Sequence, residues 1–118
     1  YAADGSKRLW PELATHFPRA KDQLRVDEVQ RRLMYIQSIE ASHALAENIV
    51  CARDADVGSI LGWGFPAALG GLVSQVDTIG IARFVAECDR MAQLYGGRFL
   101  PPPNLRERAV RGELLRAA

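Results

Sequence analysis

At 118 residues, with 48% hydrophobic and 25% charged side chains, the chain has the composition of one folded domain and not of a disordered tail. A formal net charge of +1 lacks the broad basic face that phosphate neutralisation demands, so nucleic acid is not an expected partner. No signal peptide opens the chain and no apolar run approaches the roughly 20 residues of a membrane span, so no span is expected.

In chain order, residues 1–25 are expected to form a lead-in linker with one short helix. The chain begins at Tyr1 and not Met, as expected of a piece excised from a longer polypeptide. Asp4-Gly5 is a turn signal. Leu9-Trp10-Pro11-Glu12-Leu13 predicts a helical turn with Pro near its start, ended by Pro18. Trp10, Leu13 and Phe17 are spaced to pack on a neighbouring surface.

The strongest periodic segment runs from Val26 to about Ala52, with Val29, Leu33, Ile36, Ile39 or Glu40, Ala44 and Ile49 near helical spacing. Neither Gly nor Pro interrupts it, so a helix about 40 Å long is predicted. Asp54 is the expected N-cap of the next helix, through Val57 and Leu61, with Asp56 in its first turn. Leu61-Gly-Trp-Gly-Phe-Pro66 cannot continue that helix, and Ala67 to Val76 predicts another short one. Asp77 is expected to cap a helix through Ala82, Val85, Met91 and Leu94 that stops at Gly96-Gly97. Pro101-Pro102-Pro103 enforces an extended connection, and Asn104 is expected to cap a last helix with Leu105 and Val110. No convincing alternating strand pattern occurs. The predicted fold is all-α: a compact helical domain over residues 26–118, one long helix followed by several shorter ones.

Candidate chemistry is sparse. Gly62-x-Gly64-x-x-Ala67 matches a loose dinucleotide fingerprint, but a helix precedes it and Pro66 removes a needed amide, so no nucleotide is expected there. Glu40-Ala-Ser-His43 puts a carboxylate and an imidazole on one helix face, but one copy cannot build a di-metal bundle site, so no metal is expected. His43 with Glu47 one turn onward, and His16 in the lead-in, are weak general-base candidates. Arg106, Arg108, Arg111 and Arg116, interrupted by Glu107 and Glu113, form a solvated helix face. Cys51 and Cys88 show no metal or disulfide pattern and are expected as buried free thiols on helices, in a reducing, cytoplasmic setting.

The ordered set of turns resembles the C-terminal helical domain of L-3-hydroxyacyl-CoA dehydrogenases, a 6-phosphogluconate-dehydrogenase-C-terminal-like fold. The similarity is greatest to the multifunctional form, the α subunit of the fatty-acid oxidation complex. Asp4-Gly-Ser-Lys-Arg-Leu-Trp-Pro resembles the segment joining that subunit's two helical repeats, and Arg32-Leu33-Met34 through Glu40-Ala41 resembles the head of its long helix. Asp54-Ala-Asp56, Gly62-x-Gly64-Phe65-Pro66, Gly70-Gly71 and Asp77-x-x-Gly80 follow in the family's order and spacing. The resemblance implies a parent β-oxidation enzyme in which a hydratase domain adds water to enoyl-CoA. A Rossmann domain there passes hydride to NAD, with a His–Glu pair that has no counterpart in this chain.

In active helical repeats of that family an Asn precedes the Arg-Leu pair, whereas here Arg31 holds that place. Arginine accepts no hydrogen bond and is permanently charged, so it is no substitute for the amide. The resemblance thus implies the second, non-catalytic repeat: no catalytic, cofactor or metal residue of its own, and Gly62, Gly64, Phe65, Pro66, Gly70, Gly71, Asp77 and Gly80 as architectural turn residues. Implied partners are the other helical repeat and the Rossmann domain of the parent chain, with a homodimer expected of the isolated piece. Alternatives are weak acyl-CoA binding through Arg31, Arg32 or the late arginines, and an unrelated helical adaptor docking through the long helix.

Overall fold

The computed structural model describes residues 4–117. Tyr1 to Ala3, the start of the expected lead-in, and Ala118, the last residue of the expected domain, lie outside the described residues. The chain is all-α: α1 (Leu13–His16), α2 (Val26–Ala46), α3 (Ala52–Trp63), α4 (Leu72–Ile79), α5 (Ile81–Tyr95) and α6 (Pro103–Arg111), with short 3-10 turns at Ala67–Leu69, Gly97–Phe99 and Leu115–Ala117. No strand occurs among the described residues. One long helix followed by shorter ones is the expected architecture.

Helices α2 to α6 form the compact body. Its centre joins Ile39 of α2, Val73 and Val76 of α4, and Phe84, Cys88 and Met91 of α5, all fully buried. Tyr35 stacks on Phe84 with ring centroids 4.6 Å apart. The lead-in adds length without core: no residue from 4 to 25 is buried, and Trp10 and Phe17 are exposed instead of packed. The radius of gyration is accordingly 17.1 Å, against roughly 13 Å for a close-packed chain of this length.

Several boundaries differ from expectation, each for a local reason. Helix α2 stops at Ala46 and not near Ala52, because Asn48 takes a left-handed conformation, φ 57°. The Ile49 amide then reaches back to the Ala44 carbonyl at 2.9 Å, a stop that Asn tolerates without glycine. Cys51 and not Asp54 is the N-cap of α3, and Asp54 lies inside the first turn, where its charge favours the helix dipole. The stretch expected as one helix from Ala67 to Val76 is cut at Gly70 and Gly71, both at positive φ. Gly80, also at positive φ, divides α4 from α5, and Asp77 lies within α4 instead of capping α5. Pro102 is the N-cap of α6 and Pro103 its first residue, so Asn104 sits two positions past the cap.

The buried face of α2 also differs from the one the periodicity picked out. Tyr35, Ser38, Ile39, Ser42 and Leu45 face the core, while Leu33 and Ile49 are exposed. Ser38 donates to the Leu72 carbonyl at 2.9 Å and Ser42 to that of Ser38 at 2.7 Å. Both hydroxyls are thereby satisfied, and their small size lets α4 come close. With two apolar stripes on one helix, hydrophobic spacing alone does not say which faces inward.

Asp56 and Asp77 hold α4 from outside itself. The Asp56 carboxylate accepts the Val73 and Ser74 amides at 2.7 and 3.1 Å and the Ser74 hydroxyl at 2.6 Å. It is the N-terminal cap that α4, beginning after Gly71, cannot supply locally. Asp77 does the same for the final 3-10 turn, accepting the Leu115 and Arg116 amides at 2.6 and 3.2 Å. Gly71 is required: a Cβ there would lie 2.5 Å from the Asp56 Cα, and its φ of +108° strains any other residue. Asp56→Ala is expected to cost about 2 kcal/mol, as for loss of a strong charged cap. Gly71→Ala should cost at least as much, combining backbone strain with that clash. Urea titration checks both, as a lowered midpoint at unchanged slope.

Candidate functional site

An apolar cavity of about 450 Å³ lies between α2 and α3. Helix α2 lines it with Ile36, Gln37, Glu40, Ala41 and Ala44; helix α3 contributes Asp54, Ala55, Gly58, Ser59 and Trp63. Its walls are almost wholly carbon because the facing residues are small: two alanines on α2 meet Ala55 and Gly58 on α3. A Cβ at Gly58 would touch nothing within 4 Å. The ionisable groups of the lining are two carboxylates, Glu40 and Asp54, both exposed. At one wall the Trp63 indole donates to the Gln37 Oε1 at 3.0 Å, which holds the ring beside the opening.

A second hollow of about 290 Å³ continues along α2, lined by Val29, Leu33 and Ile36 with Arg32, Arg98 and Phe99. Ile36 belongs to both, so one apolar surface follows the outer stripe of the helix. Leu33, 58% exposed, sits in its middle. Covering a few hundred Å² of such surface is worth on the order of 5–10 kcal/mol before the cost of association. Such a surface offers hydrocarbon and few polar atoms. It carries no nucleophile with a base beside it.

The glycine–aromatic bend is architectural in its geometry. Gly62 belongs to the last turn of α3, and Gly64, at φ 77°, ends the helix so that the Phe65 amide donates back to the Ser59 carbonyl at 3.0 Å. Phe65 then turns inward, 3% exposed, and packs with Ala41 and Leu72. Pro66 leads into the 3-10 turn before Gly70. A strand-to-helix turn with free amides, which a pyrophosphate requires, is not what these residues build.

His43, half-buried, turns its Nε2 to the Leu100 carbonyl at 3.3 Å and not to Glu40 or Glu47. His16 stacks on Trp10 in the lead-in at 5.3 Å. Among the described residues, no group of three or more His, Cys, Asp or Glu converges as a metal site would.

Arg31, which the family resemblance would set at a degenerate catalytic position, is engaged in a charge cluster joining α2 to α5. It lies 3.2 Å from Glu28 and 3.5 Å from Glu87, while Arg90 pairs with both carboxylates at 2.8 Å. Tyr95 donates its hydroxyl to Glu28 at 2.8 Å. Hydrogen bonds from Arg90 and then Tyr95 hold the Glu28 carboxyl below its ordinary value, and the same bond to Glu28 raises the Tyr95 phenol. Arg32 lies with its guanidinium 4.1 Å from the Tyr95 ring centre, a cation–π contact worth about 0.5–1 kcal/mol at an exposed site. Nothing in the sequence pattern of α2 marked this cluster, because its partners come from Glu87, Arg90 and Tyr95 far along the chain.

The late arginines are also spent on partners. Arg106 pairs with Asp89, its Nη1 donating at 2.8 Å, and holds that carboxyl below the usual range. Arg111 pairs with Glu113 at 2.8 Å, and Arg108 donates to the Leu114 carbonyl at 2.9 Å. The two thiols separate: Cys88 is buried, its pKa pushed up to about 12 by burial, whereas Cys51 is exposed at the head of α3 and not on a helix face. Sequence periodicity missed this because α2 ends before it reaches Cys51.

No protein-family model matches the chain. Two measurements probe this geometry. A thiol reagent should label one cysteine at once, Cys51, and Cys88 only on unfolding, since the thiolate is the reactive form. Two rapidly labelled thiols would contradict the burial of Cys88. Because the folded-state pKa of Glu28 is lowered, its contribution to stability is complete above 4.5 and fades as pH falls through the folded value. Glu28→Gln should therefore flatten the acid limb of the thermal stability profile and change its neutral plateau in the destabilising direction.

Proposed function

We propose that this chain is a non-catalytic helical repeat of a multifunctional L-3-hydroxyacyl-CoA dehydrogenase, acting as an interface module in NAD-dependent fatty-acid β-oxidation. The observation that carries this reading is the uncovered apolar surface along α2 and α3, on a domain whose motif residues are occupied in holding helices. Asp56, Gly64, Gly71, Asp77 and Gly80 cap, stop or separate elements. Arg31 stands where the active repeat carries an amide, and its charge is met by Glu28 and Glu87. In the parent enzyme the surface would lie against the sister repeat and help to close the cleft in which the Rossmann domain works.

Acyl-CoA binding by the chain alone draws less support. Arg31, Arg106 and Arg111 are ion-paired, and the large cavity carries carboxylates that repel phosphate. An adaptor of another family would share the apolar surface but not the order of turns.

The test is complementation. The chain, added to the cognate dehydrogenase truncated before its second helical repeat, should bind it and restore acetoacetyl-CoA reduction with NADH. By itself it should show no turnover. Failure to bind the truncated enzyme, or NADH consumption by the chain alone, would overturn the proposal.

A further inference from the structure

The lead-in also exposes apolar side chains. Leu9, Trp10, Phe17 and Leu24 are each at least half exposed. Helix α1 itself covers only Leu13–His16, with Trp10 ahead of it, stacked on His16, and Phe17 at its C-terminal cap. Residues 8–21 carry Arg8, Arg19 and Lys21 against the single acid Glu12. This is a cationic segment with aromatic anchors. The cavity between α2 and α3 is its complement: apolar walls, Glu40 and Asp54 for charge, and no cation in the lining.

We propose that the groove between α2 and α3 of one copy receives the lead-in of a second copy. Trp10 and Phe17 are the anchors, and the basic flanks face Glu40 and Asp54. The chain does not place its own lead-in there, since both anchors are exposed to solvent and the groove is open. Reciprocal exchange about a two-fold axis uses both segments and both grooves, and it closes at two copies. Four aromatic anchors at about 150–250 Å² each, with the groove surface they cover, bring the pair into the range of about 1,200–2,000 Å² buried by stable complexes. The inference rests on the groove being an interface, as proposed above, and specifies what enters it.

The test is sedimentation equilibrium of the full chain, with a labelled peptide of residues 8–21 as a direct probe of the groove. Trp10→Ala with Phe17→Ala should weaken dimerisation at least about 10-fold, as loss of interface anchors does, without lowering Tm because both side chains are exposed. Gly58→Leu fills the groove where there is space and improves helix propensity. It should abolish dimerisation and peptide binding while Tm holds or rises. Added salt should weaken the peptide, as expected of a basic segment meeting carboxylates. Dimerisation unaffected by the double variant, or a peptide with no affinity for the unmodified chain, overturns the exchange. A dimer that survives both variants but dissociates with Leu33→Asp also overturns it, while leaving the broader interface proposal standing.

Discussion

The carboxylate of Asp56 is the contact on which the arrangement of helices depends. Helix α4 has only eight residues and buries four of them, so it touches α2, α3, α5 and the final 3-10 turn at once. A helix that short contributes little stability of its own and begins with amides that nothing in its own sequence satisfies. Asp56 satisfies two of them from α3, and Gly71 lets the backbones approach closely enough for it to reach. Asp77 repeats the device from within α4, tying the end of the chain to the same helix. Two aspartates and one glycine thus fix α4 between its neighbours, and the core of Val73, Val76, Phe84 and Met91 is positioned by that fixing.

Much of this was visible in the residues without being assignable to partners. The all-α class, the long helix, the turn at Gly64-Phe65-Pro66 and the extended run at Pro101-Pro102 follow from local chemistry, and the structure has them. What misled was capping. Asp54, Asp77 and Asn104 each look like an N-cap from their place before an apolar run, yet none caps the helix that follows it. Asp56 and Asp77 cap helices 17 and 38 residues away in sequence, a distance over which local signals say nothing. The Glu28–Arg31–Glu87–Arg90 cluster was hidden for the same reason.

Helix α2 shows a second limit. Both of its faces carry apolar residues at helical spacing, one led by Tyr35 and Ile39 and the other by Leu33 and Ile36. Periodicity reports that a helix is amphipathic or wider than amphipathic, not which stripe the rest of the chain covers. The deciding feature is the pair Ser38 and Ser42, whose polarity gives apolar periodicity no reason to count them in the core. They are buried because their hydroxyls find backbone carbonyls and their size admits α4. With that face used internally, the conspicuous stripe through Val29, Leu33 and Ile36 is left outside.

That leftover stripe bears on how the proposed role divides between charge and apolar area. Ion pairs of the surface join helices of the same chain: Arg31 with Glu87, Arg90 with Glu28 and Arg106 with Asp89. Pairs of this exposure contribute at most about 1 kcal/mol each to stability, and a cation already met by a carboxylate has little field left for a phosphate. The apolar surface has no such internal use. Each Å² removed from water there is worth about 25 cal/mol, so a partner covering the groove and the Leu33 stripe outweighs any single polar contact the chain could offer. It is therefore the apolar surface along α2 and α3, and not the ion pairs, on which the proposed interface role rests.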